Sequence, residues 1–304
     1  MFKLFEKQSY LVILLVIGCL LTILSIFDVK DFTNLQVEPR TTIVWLGVLI
    51  GIVLTGFALF FYGQDRLTLG WFKSASVQMK DGQLQANCKN SQINISFAQL
   101  QEVASRMPES LVVLPANEYF DEECMHDANS SLGAYVQSIF PNQANEVQQL
   151  VKEKLATVES FEIEKEPGIT QANYGVGFGV LLKEPLHSKQ PVLFLSVTTK
   201  RAGEGLRAEM SHIFDAVKTI QEVAADNRVE TVCIPVMGTG HGGLSKEVGL
   251  FSLILAICDG ISKPSGHHLK QYNIVIYRAN SKEKPSISIG LSKRILKTAV
   301  GLFS

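Results

Sequence analysis

Residues 234–250 read IPVMGTGHGGLSKEVGL, and the reading of this stretch decides the fold. An apolar run, ETVCIPV (230–236), leads into it, and LSKEVGLFSLILAIC (244–258) leaves it. Between them Gly238, Thr239, Gly240, His241, Gly242 and Gly243 form a nearly bare turn. The first run has the character of a buried strand and the last that of a buried helix. Glycine permits positive φ and close backbone approach to a ligand. The N-terminus of the helix that follows offers unpaired N–H groups and a partial positive charge suited to phosphate. The motif is not a P-loop, because the final G-K-[ST] is absent and Lys246 comes after Leu244 and Ser245. Nor is it G-x-G-x-x-G. On these features a structural turn and a pyrophosphate cradle both stay open, and His241 reads equally as an exposed loop residue or a ligand contact.

Outward from the loop, strands and helices alternate. QINISF (92–97), SLVVLPA (110–116), VGFGVLL (176–182), PVLFLSVTT (191–199), VETVCIPV (229–236) and YNIVIYR (272–278) read as strands. FAQLQEVASRM, NEVQQLVKEKLATV, GLRAEMSHIFDAVKTIQEVAA, EVGLFSLILAIC and SKRILKTAVGLF read as helices. In the third of these, Leu206, Met210, Ile213, Phe214, Val217, Ile220 and Val223 fall on one face at helical spacing. Alternation of this kind predicts a three-layer α/β domain around a mostly parallel sheet. Ligands bind such sheets outside the carboxyl ends of the strands. Two loops stand at that edge: the glycine loop and PANEYFDEECMHDANSSLGAY (115–135). In the second, Asn117 directly after a strand is placed to hydrogen-bond a ribose hydroxyl. Asp121 belongs to a dense acidic run that reads equally as plain solvated loop, and Ser131, Leu132 and Gly133 open the next helical turn.

Ahead of this domain lie two uncharged stretches, residues 8–27 and 41–64. A helix needs about 20 mostly apolar residues to cross the hydrocarbon core. The first is not followed by a small-x-small cleavage site, and a second span follows at once. The pattern predicts a two-helix transmembrane hairpin over residues 1–64, a juxtamembrane connector over 65–80 and a globular domain over 81–304. Lys3, Lys7, Arg66, Lys73 and Lys80 flank the hairpin, whereas its loop carries only Lys30 and Arg40. That bias places both termini and the globular domain in the cytoplasm. Gly47, Gly51 and Thr55 form a small-residue stripe on the second span, the kind of face that lets a second helix approach.

The chain has 304 residues and a formal net charge of −1. With no basic excess, nucleic acid is a poor partner. Cys19, Cys88, Cys124, Cys233 and Cys258 are scattered and odd in number, which fits reduced thiols rather than a disulfide framework. His126, His187, His212, His267 and His268 show no metal-ligand spacing. No Ser-His-Asp or Cys-His set can be placed, so no catalytic residue is assigned.

Taken in order, VVLPANEYFD (112–121), SSLGAYV (130–136), ANYGVGFGVLL (172–182) and the glycine loop resemble a macro domain of the kind found in the ThsA effector of Thoeris anti-phage systems. The paired N-terminal spans resemble the membrane-anchored form of that effector. The resemblance implies a mixed sheet between helical layers that binds ADP-ribose-type molecules. It implies that Asn117 contacts the distal ribose and that Gly238–Gly243 embrace the diphosphate. Asp121, Ser131, Leu132 and Gly133 complete the expected ligand set. No cofactor is implied. The implied ligand is a signal made by a TIR-domain enzyme, histidine conjugated to ADP-ribose. The implied outcome is self-association, damage to the bacterial inner membrane and death of the infected cell.

The chain departs from hydrolytic macro domains in two places. EYFDEECMHDANSSLG (118–133) replaces their triple glycine, and no G-D-I segment stands near ISFAQLQ (95–101). Binding without turnover is therefore expected. A membrane-tethered ADP-ribosyl hydrolase and a non-catalytic membrane anchor are the alternatives.

Overall fold

Successive side chains of a strand point to opposite faces of a sheet, and the core of this protein divides accordingly. The computed structural model describes residues 75–121, 123–186, 188–263 and 268–303. All of them belong to the unit Ser74–Ser304. The expected spans 8–27 and 41–64, with Gly47, Gly51 and Thr55, lie outside the described residues. Among the described residues no helix is long and apolar enough to cross a membrane.

The strands are β1 (Val77–Lys80), β2 (Gln83–Cys88), β3 (Ser91–Ala98), β4 (Leu111–Asn117), β5 (Phe161–Glu166), β6 (Ile169–Asn173), β7 (Gly179–Leu182), β8 (Val192–Thr198), β9 (Thr231–Pro235) and β10 (Gln271–Tyr277). The helices are α1 (Leu100–Ser105), α2 (Glu123–His126), α3 (Ser131–Ile139), α4 (Ala144–Leu155), α5 (Met210–Asp226), α6 (Lys246–Ile261) and α7 (Ile289–Gly301). Eight strands form one sheet in the order β1-β2-β3-β10-β9-β4-β8-β7. From β3 to β8 every pairing is parallel, while β1–β2, β2–β3 and β7–β8 are antiparallel. The sheet is thus mixed, with a parallel centre and antiparallel edges.

Leu111 and Val113 of β4, Leu193 and Leu195 of β8 and Val232 and Ile234 of β9 face one core, shared with α5, α6 and α7. Val112, Leu114, Phe194 and Cys233 face a second core, shared with α1, α3 and α4. The expected three layers follow from this alternation.

Two expectations need correction, and one element was not foreseen. Residues 77–80, expected to end the connector, form β1. Asp81 and Gly82 both have positive φ, 51° and 76°, which is the geometry of a two-residue hairpin turn that returns the chain into β2. The helix expected from residue 205 begins at Met210, and its buried face is rotated. Ile213, Ala216, Val217, Ile220, Gln221 and Ala224 are buried, whereas Met210 and Phe214 are exposed. The small side chains of Ala216 and Ala224 and the Gln221–Tyr272 hydrogen bond of 2.9 Å settle that face. Finally, β5 and β6 form a separate two-stranded hairpin that their charged sequence did not suggest.

Candidate functional site

Because β3, β10, β9, β4 and β8 run parallel, their carboxyl ends gather on one edge. Ala98, Tyr277, Pro235, Asn117 and Thr198 all end there, and a cavity of about 440 Å³ opens over them. The glycine loop leaves β9 directly into its wall. The loop closes on itself through Leu244 N donating to Gly238 O at 3.0 Å and Gly243 N donating to Gly240 O at 3.2 Å. Gly238 has φ of 72°, which disfavours any side chain there. A Cβ on Gly242 would stand 2.8 Å from both Ala208 Cβ and Gly238 O, so that position is closed by packing. Gly240 differs from both. Its φ is not positive, and a Cβ there would meet nothing within 4 Å.

The amides of Thr239, Gly240, His241 and Gly242 donate to no acceptor among the described residues. Four successive donors at the mouth of a cavity suit an anionic chain. α6 begins just beyond, capped by Ser245 Oγ accepting from Val248 N at 3.3 Å, and Lys246 lines the cavity. The second helix start at the cavity is α3. There Ser130 Oγ accepts from Gly133 N at 2.8 Å, and Ser130, Ser131 and Ala134 line the wall.

Asn117 ends β4 and is 2% exposed. Its Oδ1 accepts from Tyr119 N at 3.0 Å and its Nδ2 donates to Asp121 Oδ2 at 2.9 Å. Lys165 Nζ of β5 stands 2.7 Å from the same Asp121 oxygen, and both side chains are nearly buried. The turn that brings Asp121 back under Asn117 holds Phe120 at φ of 53°, a costly conformation for a bulky residue. Glu118, next to Asn117, is buried too. Its carboxylate accepts from Lys200 N at 3.0 Å and pairs with Arg201, whose guanidinium it holds above its ordinary pKa by that hydrogen bond.

The expected ligand set therefore divides. Asn117, Ser131, Gly238, Thr239, Gly240, His241 and Gly242 line the one cavity. Asp121 does not. It lines a second cavity of about 460 Å³ beside Lys165, Gln148 and Tyr174, and acts on the first through Asn117. Leu132 is a core residue, 1% exposed, since it is the inward position of the first turn of α3. Gly133 serves the Ser130 cap, and Gly243, at φ of 75°, shapes the exit of the loop. The His241 side chain is 62% exposed, with Nε2 3.5 Å from Asp127 Oδ2, so it links the glycine loop to the segment ahead of α3. Sequence reasoning missed Gln99, Gln101, Thr198, Leu206, Lys246 and Tyr277. Four of these six stand at or just past the carboxyl ends of β3, β8 and β10, where the rule used for β4 and β9 would have found them.

The fold is similar to solved macrodomains at low identity. The Oceanobacillus iheyensis macrodomain with ADP is 8% identical, with a TM-score of 0.48, covering 72% of this chain and 94% of that one. The Trypanosoma brucei macrodomain in complex with ADP-ribose is 11% identical, with a TM-score of 0.43, covering 68% of each chain. The macrodomain of Thermus aquaticus DarG is 14% identical, with a TM-score of 0.39, covering 61% of this chain and 97% of that one. No curated protein matches the sequence. The match that decides is to a family: residues 93–277, over half of the chain, match the macro domain of the Thoeris protein ThsA, and the chain belongs to that family.

Proposed function

We propose that the protein is a Thoeris effector whose macro domain senses an ADP-ribose-type signal in the 440 Å³ cavity. The observation that carries this reading is the row of four amides, Thr239 to Gly242, that meet no acceptor among the described residues and lie between two capped helix starts. Backbone N–H groups and helix N-termini favour phosphate, and a diphosphate spans such a row. Asn117, buried and held at the end of β4, is then placed for a ribose hydroxyl. The signal is an ADP-ribose derivative, with histidine-ADP-ribose as the specific form, supplied by a TIR-domain enzyme.

Binding, without turnover, is the activity in this reading. Amides, hydroxyls and small apolar groups line most of the cavity, and the neighbouring carboxylates of Glu118 and Asp121 are engaged by Arg201 and Lys165. In the full reading the two uncharged N-terminal stretches anchor the chain in the inner membrane. Ligand binding then gathers copies, and the gathered hairpins breach the bilayer. Calorimetric titration of full-length protein with ADP-ribose tests the first step: saturable heat is expected, and a folded protein that takes up none overturns the reading.

A further inference from the structure

Helix α7 carries its charges on one side, and all of them are positive. Lys293, Arg294 and Lys297 are exposed at i, i+1 and i+4, which gathers them within about 100° of the helix circumference. The opposite side, where Ser292, Leu296, Ala299 and Val300 are buried, packs the helix against α6, β1 and β2. From Lys284 to Ser304 the sequence holds four cations and no acid, in a chain whose net charge is −1. The positive charge is therefore concentrated here.

The ordinary uses of surface cations do not account for this face. None of the three forms an ion pair among the described residues. Glu283, the nearest acid in sequence, accepts instead from Asn280 Nδ2 at 2.7 Å. A helix dipole favours cations in the last turn, and the last turn of α7 has none. Lys293 and Lys297, four residues apart, repel each other. In water this face is a standing cost, which a surface of fixed negative charge would offset.

We propose that the exposed face of α7 binds anionic phospholipid headgroups and holds the domain against the bilayer. The choice of a bilayer over another polyanion rests on the membrane reading of the full chain. β1, against which α7 packs, begins at Val77, and only residues 65–76 separate it from the uncharged stretch 41–64. Such a connector reaches about 40 Å at most when fully extended, so headgroups are the polyanion that α7 meets at the highest effective concentration. Apolar side chains accompany the cations. Ile289 and Leu302 are exposed, one at each end of the helix, and β1 adds exposed Met79 and Lys80. An interfacial helix uses that pairing, cations on the headgroups and apolar side chains just beneath them.

The test is lysine footprinting of full-length protein reconstituted into vesicles of phosphatidylcholine, with or without phosphatidylglycerol. An acylating reagent followed by mass spectrometry reads each lysine. Modification of Lys293 and Lys297 is expected to fall at least about fivefold in the anionic vesicles, the scale of one cation at such a surface, and to recover in high salt. Lys154, exposed on α4 in the other helical layer, should not change. Arg294→Gln should keep the melting temperature and the ADP-ribose affinity and lose much of the protection. Equal modification in the two vesicles overturns the proposal. So does equal protection when a short RNA, matched in phosphate, is added to the neutral vesicles. Protein that alkaline carbonate releases from the vesicles fails the membrane reading. The same footprint with vesicles added to the released protein then decides α7 alone: protection by anionic vesicles supports the lipid face, and its absence overturns it.

Discussion

Asn117 and Lys165 meet on a single oxygen: Asp121 Oδ2 takes Asn117 Nδ2 at 2.9 Å and lies 2.7 Å from Lys165 Nζ. The expected ribose contact is thus aimed by a nearly buried ion pair that itself lines the neighbouring cavity. Removing one partner of a buried pair leaves the other charge uncompensated, at a cost of about 3–5 kcal/mol.

Asp121→Ala should therefore lower stability by about that amount and also weaken ADP-ribose binding, because Asn117 loses an acceptor that orients it. Lys165→Met should cost comparable stability while leaving the Asp121 acceptor in place. Urea unfolding and calorimetry on both variants separate the effects. Affinity lost equally in the two would mean that the pair, rather than the Asn117 contact, governs the site.

The glycine loop yields a contrast within one motif. Gly240→Val places a branched side chain in open cavity space, so the protein should fold normally and lose ADP-ribose binding by an order of magnitude or more. Gly242→Ala drives a methyl group into Ala208 and the Gly238 carbonyl, and overpacking of this kind costs about 1–3 kcal/mol. Its main effect should appear in the melting temperature. Full affinity in folded Gly240→Val would take the loop out of the site.

How much of this was legible depended on where each partner lies in the chain. The central strands and the glycine loop announce themselves locally, through apolar runs and a cluster of glycines between them. The roles of Glu118 and Asp121 do not. Both sit in an acidic run that reads equally as solvated loop or ligand contact, and only the fold brings Arg201 and Lys165 to neutralise them. The same holds for Gln99, whose side-chain amide donates to the backbone carbonyl of Ala279 after β10. Edge elements were hard for a different reason. β5 and β6 pair only with each other and are largely solvated, so no apolar alternation marks them. In α5, Met210 and Phe214 share the helical period of the buried residues, and periodicity alone could not phase the face.

Alkaline pH should loosen the domain at Cys233. Burial pushes this thiol from 9.0 up to about 11, opposed only by its contact with Ser110 at 3.5 Å. The neutral thiol is favoured in the folded state. Its contribution is therefore complete below pH 9 and is lost as pH rises through 11, amounting to about 2–3 kcal/mol at 1.36 kcal/mol per unit. Urea midpoints measured from pH 8 to 11 should fall more steeply for the unaltered protein than for Cys233→Val. Parallel curves would assign the alkaline loss to other groups.

Coupling between ligand and membrane is the last step of the proposed function, and its logic is thermodynamic. If the uncharged stretches 8–27 and 41–64 are the proposed membrane spans, a two-helix hairpin of them would satisfy its own backbone and would offer no polar face to stabilise water. On that proposal, breaching the bilayer would require many hairpins held together, with the small-residue stripe of Gly47, Gly51 and Thr55 as the proposed contact face. A ligand shifts assembly only as far as it binds the assembled state better than the dispersed one. Moving the population from about 1% to 99% assembled takes roughly 5.5 kcal/mol of differential binding in a two-state scheme. Adding the cognate ADP-ribose-type signal to detergent-solubilised full-length protein should therefore shift its mass distribution upward, and adding it to dye-loaded proteoliposomes should release dye. Gly47→Ile combined with Gly51→Ile should keep ligand affinity and reduce leakage, whereas Gly240→Val should abolish both responses together. Tight binding that changes neither size nor leakage would leave the cavity a nucleotide site and remove assembly from its function.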